Sequence, residues 1–385
     1  MKMRVTLKDV GREARVSQNT VSRVLSGKSS SVPISESTRQ RVLEAAARLG
    51  YQPNLLARGL RTNRSGAIGV MVEDITDPFL VSVIPYVDAT LRERGYHLLL
   101  SHAALDPETG STYDRLLGSR VDGLLVLGDR ALTRDDEAEM LQHHRHVVGI
   151  ARAYEGTEIP SFNVDDRRGV ELAMQHLRAL GHEHIGFIGN REAWDMACRF
   201  DTFLASMATA GVSVPAGAVA LVPHTASEGY AAARELLSNG VPLTALLCTT
   251  DLLAMGALCA LDEAGLKVPR DISVIGWDDI PLAAYATPPL TTVRQPTADL
   301  ARRAVTHLLD LIDGGRVASG EIGDRTGVVH CKLPPDLVVR RTTGPRPRRP
   351  VVGAAPVAVP AGQGDGPRPP RRRQVILPGD QREVR

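Results

Sequence analysis

Gln18, Asn19 and Arg23 are the residues whose types and spacing define a chemistry most sharply, two carboxamides followed by a guanidinium. A carboxamide sets a donor beside an acceptor and matches the N6 and N7 edge of adenine, while a guanidinium matches guanine or a phosphate. The stretch Ser17 to Leu25 reads as a short helix with Ser17 as its cap. Both amides therefore fall in its first turn, the end that can enter a major groove, with Arg23 about one turn further on.

The elements that must hold this helix are legible on either side. Thr6 with Asp9 three residues later is the acidic variant of a capping box and opens a helix through Ala14. A third helix starts at Ser35, carries apolar Val42, Leu43, Ala46, Ala47 and Leu49 at helical spacing, and stops at Gly50 with Pro53 beyond. Three such helices can close a small core. Residues 53–64 contain good helix formers but no partner helix, so this stretch is marginal on its own.

Charge agrees with the helix grammar. Residues 1–64 hold 13 Lys and Arg against 4 Asp and Glu, a net of +9. The whole chain nets +2 and residues 344–385 net +6, which leaves the body between at −13. A basic end on an acidic body is attracted to a phosphate backbone by that end alone.

The order Val5-Thr6-Leu7-Lys8-Asp9-Val10, then Val16-Ser17-x-x-Thr20-Val21-Ser22-Arg23-Val24-Leu25, then Gly50-Tyr51-x-Pro53-Asn54-x-x-Ala57-x-x-Leu60, resembles the lactose-repressor (LacI/GalR) family of bacterial transcription regulators. The likeness runs from about residue 4 to 343. It implies a DNA-facing set of Thr6, Ser17, Gln18, Asn19, Thr20, Ser22 and Arg23, and a hinge helix carrying Asn54, Ala57, Arg58 and Leu60. In that comparison Leu60 falls on a leucine that wedges into a minor-groove step, an insertion that two paired subunits can support together. Two departures stand out. Arg15 occupies a turn position where the family usually has Gly, which holds a non-glycine residue at positive φ at a cost of about 1 kcal/mol. Ser29 to Pro33 also lengthens the connection before the third helix.

Beyond the hinge the pattern changes to short apolar runs alternating with helices. The predicted strands are 67–72, 96–100, 123–127, 146–150, 185–189, 245–248 and 273–276. Near-continuous apolar strands between helices indicate parallel sheets covered on both faces, a doubly wound α/β architecture. Ligands in such sheets bind beyond the carboxyl ends of the strands. The resemblance implies a two-lobed domain like the periplasmic binding proteins, with effector-binding residues Phe79, Arg199 and Asp278, and Asp165 at the first crossover between lobes. An Arg and an Asp across a cleft can clamp vicinal hydroxyls, which suits a sugar. Thr250 stands where the family often has Asn, and Trp194 is placed to stack on a ring. Phe79 as core, and Asp278 or Asp279 as helix caps, are the competing structural readings.

The organisation expected is thus α/β with four segments: a helix-turn-helix headpiece over 1–52, a hinge over 53–65, a two-lobed effector and dimerisation domain over 66–343, and a structureless Pro- and Arg-rich tail over 344–385. The tail lacks the leucine heptads of a tetramerising bundle, so a homodimer is expected. Arg346, Arg348, Arg349 and Arg371 to Arg373 either add sequence-independent DNA affinity or belong to an inert extension. The function expected is a ligand-responsive regulator, most simply a repressor, on a pseudo-palindromic operator. Activation, or a ligand acting as corepressor, is the alternative within the same class, and the residues give no sign of that coupling.

Other constellations are weaker. His143-His144-Arg145-His146 lacks a spaced carboxylate or Cys partner and reads as a solvated helix end rather than a metal site. His182-Glu183-His184 fits a turn before a strand. The four cysteines show no paired spacing, as in a reducing cytoplasm. Gly186-Phe187-Ile188-Gly189 is not a dinucleotide fingerprint, so no nucleotide cofactor is expected. No nucleophile elbow favours an enzyme, and no apolar leader favours an exported solute-binding protein. A membrane span is not expected either.

Overall fold

The computed structural model describes residues 5–26, 33–51, 64–102, 121–128, 134–151, 157–191, 194–314 and 328–351. The chain divides into two compact units, Met1–Gly66 and Ala67–Arg385.

The first unit is built from α1 (Leu7–Ala14), α2 (Gln18–Ser26) and α3 (Glu36–Leu49). The capping box is present in full: Thr6 Oγ1 accepts from the Asp9 amide, and the Thr6 amide donates to Asp9 Oδ2 at 3.0 Å. These bonds from Thr6 hold the exposed Asp9 carboxyl below its ordinary range. Arg15 closes α1 at φ 54°, the left-handed conformation expected for the turn. Gly11 meets this turn closely, since a Cβ there would stand 2.9 Å from the Val16 carbonyl. Ser35 and Gly50 bound α3 as anticipated. Val10, Ala14, Val21, Val24, Val42, Ala45 and Ala46 form the core. Leu43, expected to face it, is 44% exposed, because the buried stripe of α3 follows Val42, Ala45 and Ala46, and Leu43 lies a quarter-turn away.

The second unit has two six-stranded sheets. Lobe 1 orders its strands β11-β5-β4-β3-β1-β2, from β1 (Ala67–Val72), β2 (His97–His102), β3 (Gly123–Leu127), β4 (Val147–Ile150), β5 (Ser161–Val164) and β11 (His330–Leu333), all parallel. Lobe 2 orders β12-β10-β9-β8-β6-β7, from β6 (Ile185–Gly189), β7 (Val219–Leu221), β8 (Ala245–Cys248), β9 (Ser273–Asp278), β10 (Thr291–Arg294) and the antiparallel edge β12 (Asp336–Val338). The chain passes between lobes after β5, after β10 and after β11. The helices are α4 (Pro78–Glu93), α5 (Arg134–His143), α6 (Asp166–Ala179), α7 (Trp194–Thr209), α8 (Ala226–Ser238), α9 (Asp251–Glu263) and α10 (Thr297–Ile312). Although it follows β10 of lobe 2, α10 packs on α4 and on β3, β4 and β5 of lobe 1. In lobe 2, α8 and α9 touch backbone to backbone, because Gly229 and Gly256 remove the side chains that would separate them.

Two expectations are corrected here. His144 is 3% exposed, not solvated, and burial holds its pKa down at about 4. A histidine with a depressed folded pKa stays neutral as the unfolded chain takes up its proton, so stability is lost as pH falls below the ordinary histidine range. Lowering pH to about 5 should cost about 2 kcal/mol through this group. Urea unfolding at neutral and mildly acid pH checks it: His144→Gln should flatten the difference by that amount, and an undiminished acid sensitivity would remove His144 as its source.

The second correction concerns the C-terminal stretch, expected to lack structure from residue 344. Residues 344–351 are instead strapped across the end of lobe 2 where its strands begin. The Gly344 carbonyl accepts from the buried His182 ring (3.0 Å), the Arg346 amide donates to the Leu180 carbonyl, and Val351 pairs with Leu243 in an antiparallel bridge. Arg346 forms an ion pair with Glu183 at 2.9 Å. Residues 352–385, including Arg371 to Arg373, lie outside the described residues. Among the described residues, no helix is long and apolar enough to cross a membrane.

Candidate functional site

In the first unit, Gln18 and Asn19 are exposed on the opening turn of α2. Ser17 accepts from the Thr20 amide at 3.1 Å, and the two hydroxyls bond each other at 2.9 Å, so Ser17 and Thr20 fix the start of the helix and leave the amides projecting. Ser22 and Arg23 are half-buried, and Thr6 is exposed at its cap. Asn54, Ala57, Arg58 and Leu60 lie outside the described residues.

In the second unit, β1 of one sheet and β9 of the other end near each other, since the charge of Asp77 beyond β1 reaches Asp278 at the end of β9. β8 and then β6 follow β9 across the same sheet. Asp77 follows β1 and caps α4, accepting from the amides of Phe79 (2.8 Å) and Leu80 (3.4 Å). Phe79 itself is buried in the apolar core. From lobe 2, Thr250 caps α9 by accepting from the Leu253 amide, and the next residue, Asp251, is buried with bonds from Thr292 Oγ1 (2.6 Å) and the Ile280 amide (2.9 Å). Burial lifts the Asp251 carboxyl to about 7, against these bonds.

Arg199 is 2% exposed. Its Nε donates to Asp166 at 2.7 Å, Nη2 to Asp195 at 2.9 Å and Nη1 to the Thr249 carbonyl at 2.8 Å, and its guanidinium lies 4.1 Å from the centre of the Trp277 ring. Burial opposes the Arg199 charge, and Asp166, Asp195 and Asp278 more than reverse that, so its pKa is raised. Asp166 is lifted to about 7 by burial, with Arg199 as its chief counterweight. The Trp277 ring is seated against Gly169, where a Cβ would collide with it at 2.3 Å.

Asp278 and Asp279 end β9 at φ 108° and 55°, left-handed values that a non-glycine residue adopts only when its surroundings enforce them. Arg294 and Arg340 each hold Asp279 at 2.6 Å, and Gln295 donates to Asp278 Oδ1 at 2.8 Å. Gln295 belongs to the second crossover, so a residue of the connection between lobes is bonded to a carboxylate in the cleft. Burial first, and then the charges of Asp251 and Asp77, push the Asp278 carboxyl well above its ordinary range.

The sequence-derived set is therefore partly assembled. Arg199 and Asp278 are near enough for the Asp278 charge to act on the guanidinium. Asp165 turns aside: its carboxylate caps α6 by accepting from the Arg168 amide, and its neighbour Asp166 meets Arg199. Trp194 is 39% exposed, and the Lys332 ammonium of lobe 1 sits over its ring at 4.8 Å. Asp166, Asp195 and Gln295 were not singled out from sequence, and Asp77 was flagged only as part of the segment beyond the first strand. For Asp77 the signal was its place beyond a strand's carboxyl end, and for Asp195 its i,i+4 spacing to Arg199.

Two family models match the chain: bacterial regulatory proteins of the lacI family over residues 6–54, and the periplasmic binding protein-like domain over 174–343. The HTH-type transcriptional repressor CytR of Escherichia coli K12 is 33% identical over 340 residues, 88% of this chain and 96% of that protein. PurR of Klebsiella pneumoniae strain 342, also an HTH-type transcriptional repressor, is 34% identical over 348 residues, 89% of this chain and 98% of its own. The chain belongs to the lacI family. A lac repressor dimer bound to operator and the anti-inducer ONPF superposes with a TM-score of 0.77 at 28% identity, covering 89% of this chain and all of that one. A CelR–cellobiose complex does so with a TM-score of 0.63 at 28% identity, covering 88% and 100%. As a lacI-family member the protein is a DNA-binding, effector-responsive transcriptional regulator and not an enzyme. The lacI-family headpiece corresponds to α1–α3, and the two sheets form the binding-protein-like body.

Proposed function

We propose that the chain represses transcription in the cytoplasm as a homodimer on a pseudo-palindromic operator, and that a sugar or sugar-like molecule in the interlobe cleft sets its affinity for DNA. Among similar structures, one is a lac repressor dimer on operator DNA and another holds cellobiose, which supports both halves of this reading. Exposed apolar side chains on lobe 1 (Val81, Tyr86, Leu99, Leu100) and lobe 2 (Leu282, Tyr285) give each lobe a surface suited to a second copy. Gln18 and Asn19 read bases from the exposed turn of α2, with Arg23 on guanine or phosphate.

The observation that carries the effector half is Asp278, held at φ 108° with an oxygen bonded by Gln295 of the crossover. A ligand hydroxyl that engages this carboxylate competes with or reinforces a bond made by a residue between the lobes. Lobe rotation then follows from binding one arrangement better than the other, with a coupling of about 1–3 kcal/mol.

The direct test is selection of preferred duplexes from a random pool by the full-length chain. Gln18→Ala and Asn19→Ala should each relax base preference at one or two half-site positions, by about 1–3 kcal/mol, while sequence-independent binding persists. An unchanged base preference in both variants would refute the assignment of α2.

A further inference from the structure

We propose that the cleft selects an uncharged polyhydroxylated effector and excludes phosphorylated and carboxylated forms of the same molecule, with Asp77 of lobe 1 and Asp278 of lobe 2 determining that specificity. The inference rests on the reading of the cleft as the effector site and narrows the class of ligand it takes.

A buried anionic group is favoured by an unspent cation, and among the described residues the guanidinium at the heart of this site, Arg199, is spent. Arg199 serves two carboxylates, Asp166 at 2.7 Å and Asp195 at 2.9 Å, and a carbonyl. Two carboxyl groups thus already share this one guanidinium before any ligand arrives. Of the other described cations around the cleft, Arg191 meets Asp201, Arg294 meets Asp279, and Lys332 lies over the Trp194 ring. Facing this arrangement, Asp77 and Asp278 approach from opposite lobes at the ends of β1 and β9, and the charge of Asp77 bears on the ionisation of Asp278. Asp74, His102 and His224 complete the surroundings on the Asp77 side, with His224 acting on both Asp74 and Asp77, and Asp251 lies behind Asp278.

The chemistry offered is that of hydroxyl recognition. Ionised, each carboxyl accepts from a hydroxyl and repels a phosphate; protonated, it still bonds a hydroxyl and brings no positive charge to an anion. Thr249 Oγ1, buried at the end of β8 beside Arg199, has no partner among the described residues and is the kind of neutral group that bonds a hydroxyl. Burial raises the Asp77 carboxyl above its ordinary range, so its ionised form is held at a cost that a donor ligand relieves and an anion increases.

Asn is the informative replacement at both positions. At Asp77 it caps a helix as well as Asp does, and at Asp278 it tolerates positive φ, so each change removes charge while keeping local geometry. The experiment is thermal unfolding of the full-length chain with matched pairs: free pentoses, hexoses, cellobiose and ribonucleosides, each beside its phosphate monoester or sugar acid. The expected result is stabilisation by an uncharged member, with its anionic partner at least about tenfold weaker and the gap narrowed in Asp77→Asn/Asp278→Asn. An anion that binds as tightly as its parent overturns the proposal. A panel in which no member shifts the unfolding curve removes the sugar reading instead, and the charge reading is then decided by the ligand-free variants. A carboxyl whose folded pKa is raised loses stability as pH rises above the ordinary carboxylate range. Each Asn variant should therefore melt about 2 °C or more above the parent at mildly alkaline pH, with a smaller difference at acid pH. Melting at or below the parent in alkali overturns the proposal.

Discussion

Asp166→Ala should lower stability by about 3–5 kcal/mol, the cost of stranding a buried charge. Arg199 has no route to solvent from its seat under Trp277, and its Nε loses the 2.7 Å bond that Asp166 supplies. Asp195 cannot replace that partner, since it is already committed to Nη2. Urea unfolding followed by tryptophan emission reads the change directly, because Trp277 stacks on the affected guanidinium. The decisive comparison is the double replacement Asp166→Leu/Arg199→Met. Removing both charges together leaves only the partly exposed Asp195 without its guanidinium and should recover most of the loss. A double variant as unstable as Asp166→Ala would mean that shape, and not charge, holds this corner. The double variant should also fail to respond to effector, which separates the stability role of the cluster from its part in the cleft.

Gly256→Ala should be destabilising by about 3 kcal/mol or more, although alanine is the better helix former by about 1 kcal/mol. The reason is distance. A Cβ at residue 256 would stand 2.0 Å from the Ala226 carbonyl oxygen and 2.6 Å from the Tyr230 amide nitrogen, and neither backbone atom can turn away. The reciprocal position is as tight, with a Cβ at Gly229 2.3 Å from the Leu253 carbonyl. α8 and α9 would have to part, opening the apolar layer that covers one face of the lobe 2 sheet. Denaturant titration decides the matter, and a variant more stable than its parent would show that helix propensity outweighs the contact. Gly50→Ala provides a contrast, since its φ of 61° strains an alanine while open space surrounds the Cβ.

The amino-acid order carried the local grammar well and long-range partnership poorly. Caps at Thr6, Ser17 and Ser35 were readable because each depends on neighbours within a few positions, whereas the left-handed turn at Arg15 was expected from the family resemblance. Strands 67–72, 123–127, 185–189 and 245–248 were readable because burial on both faces makes them continuously apolar. β5 and β10 were not, since Asn163 in one and Thr291 and Thr292 in the other interrupt the apolar run with polar groups. The same limit governs the site. Asp165 and Asp166 are indistinguishable in sequence, yet one spends its carboxylate on the helix start and the other meets a guanidinium 33 positions away.

The strap at 344–351 sets a practical boundary. Fusion of a fluorescent or affinity module directly after residue 343 would displace Gly344 from His182 and Val351 from Leu243, unroofing a histidine that bonds Thr244 as well. Joined after Val351, the same module would leave that seal in place, with its attachment at the end of lobe 2 opposite the cleft.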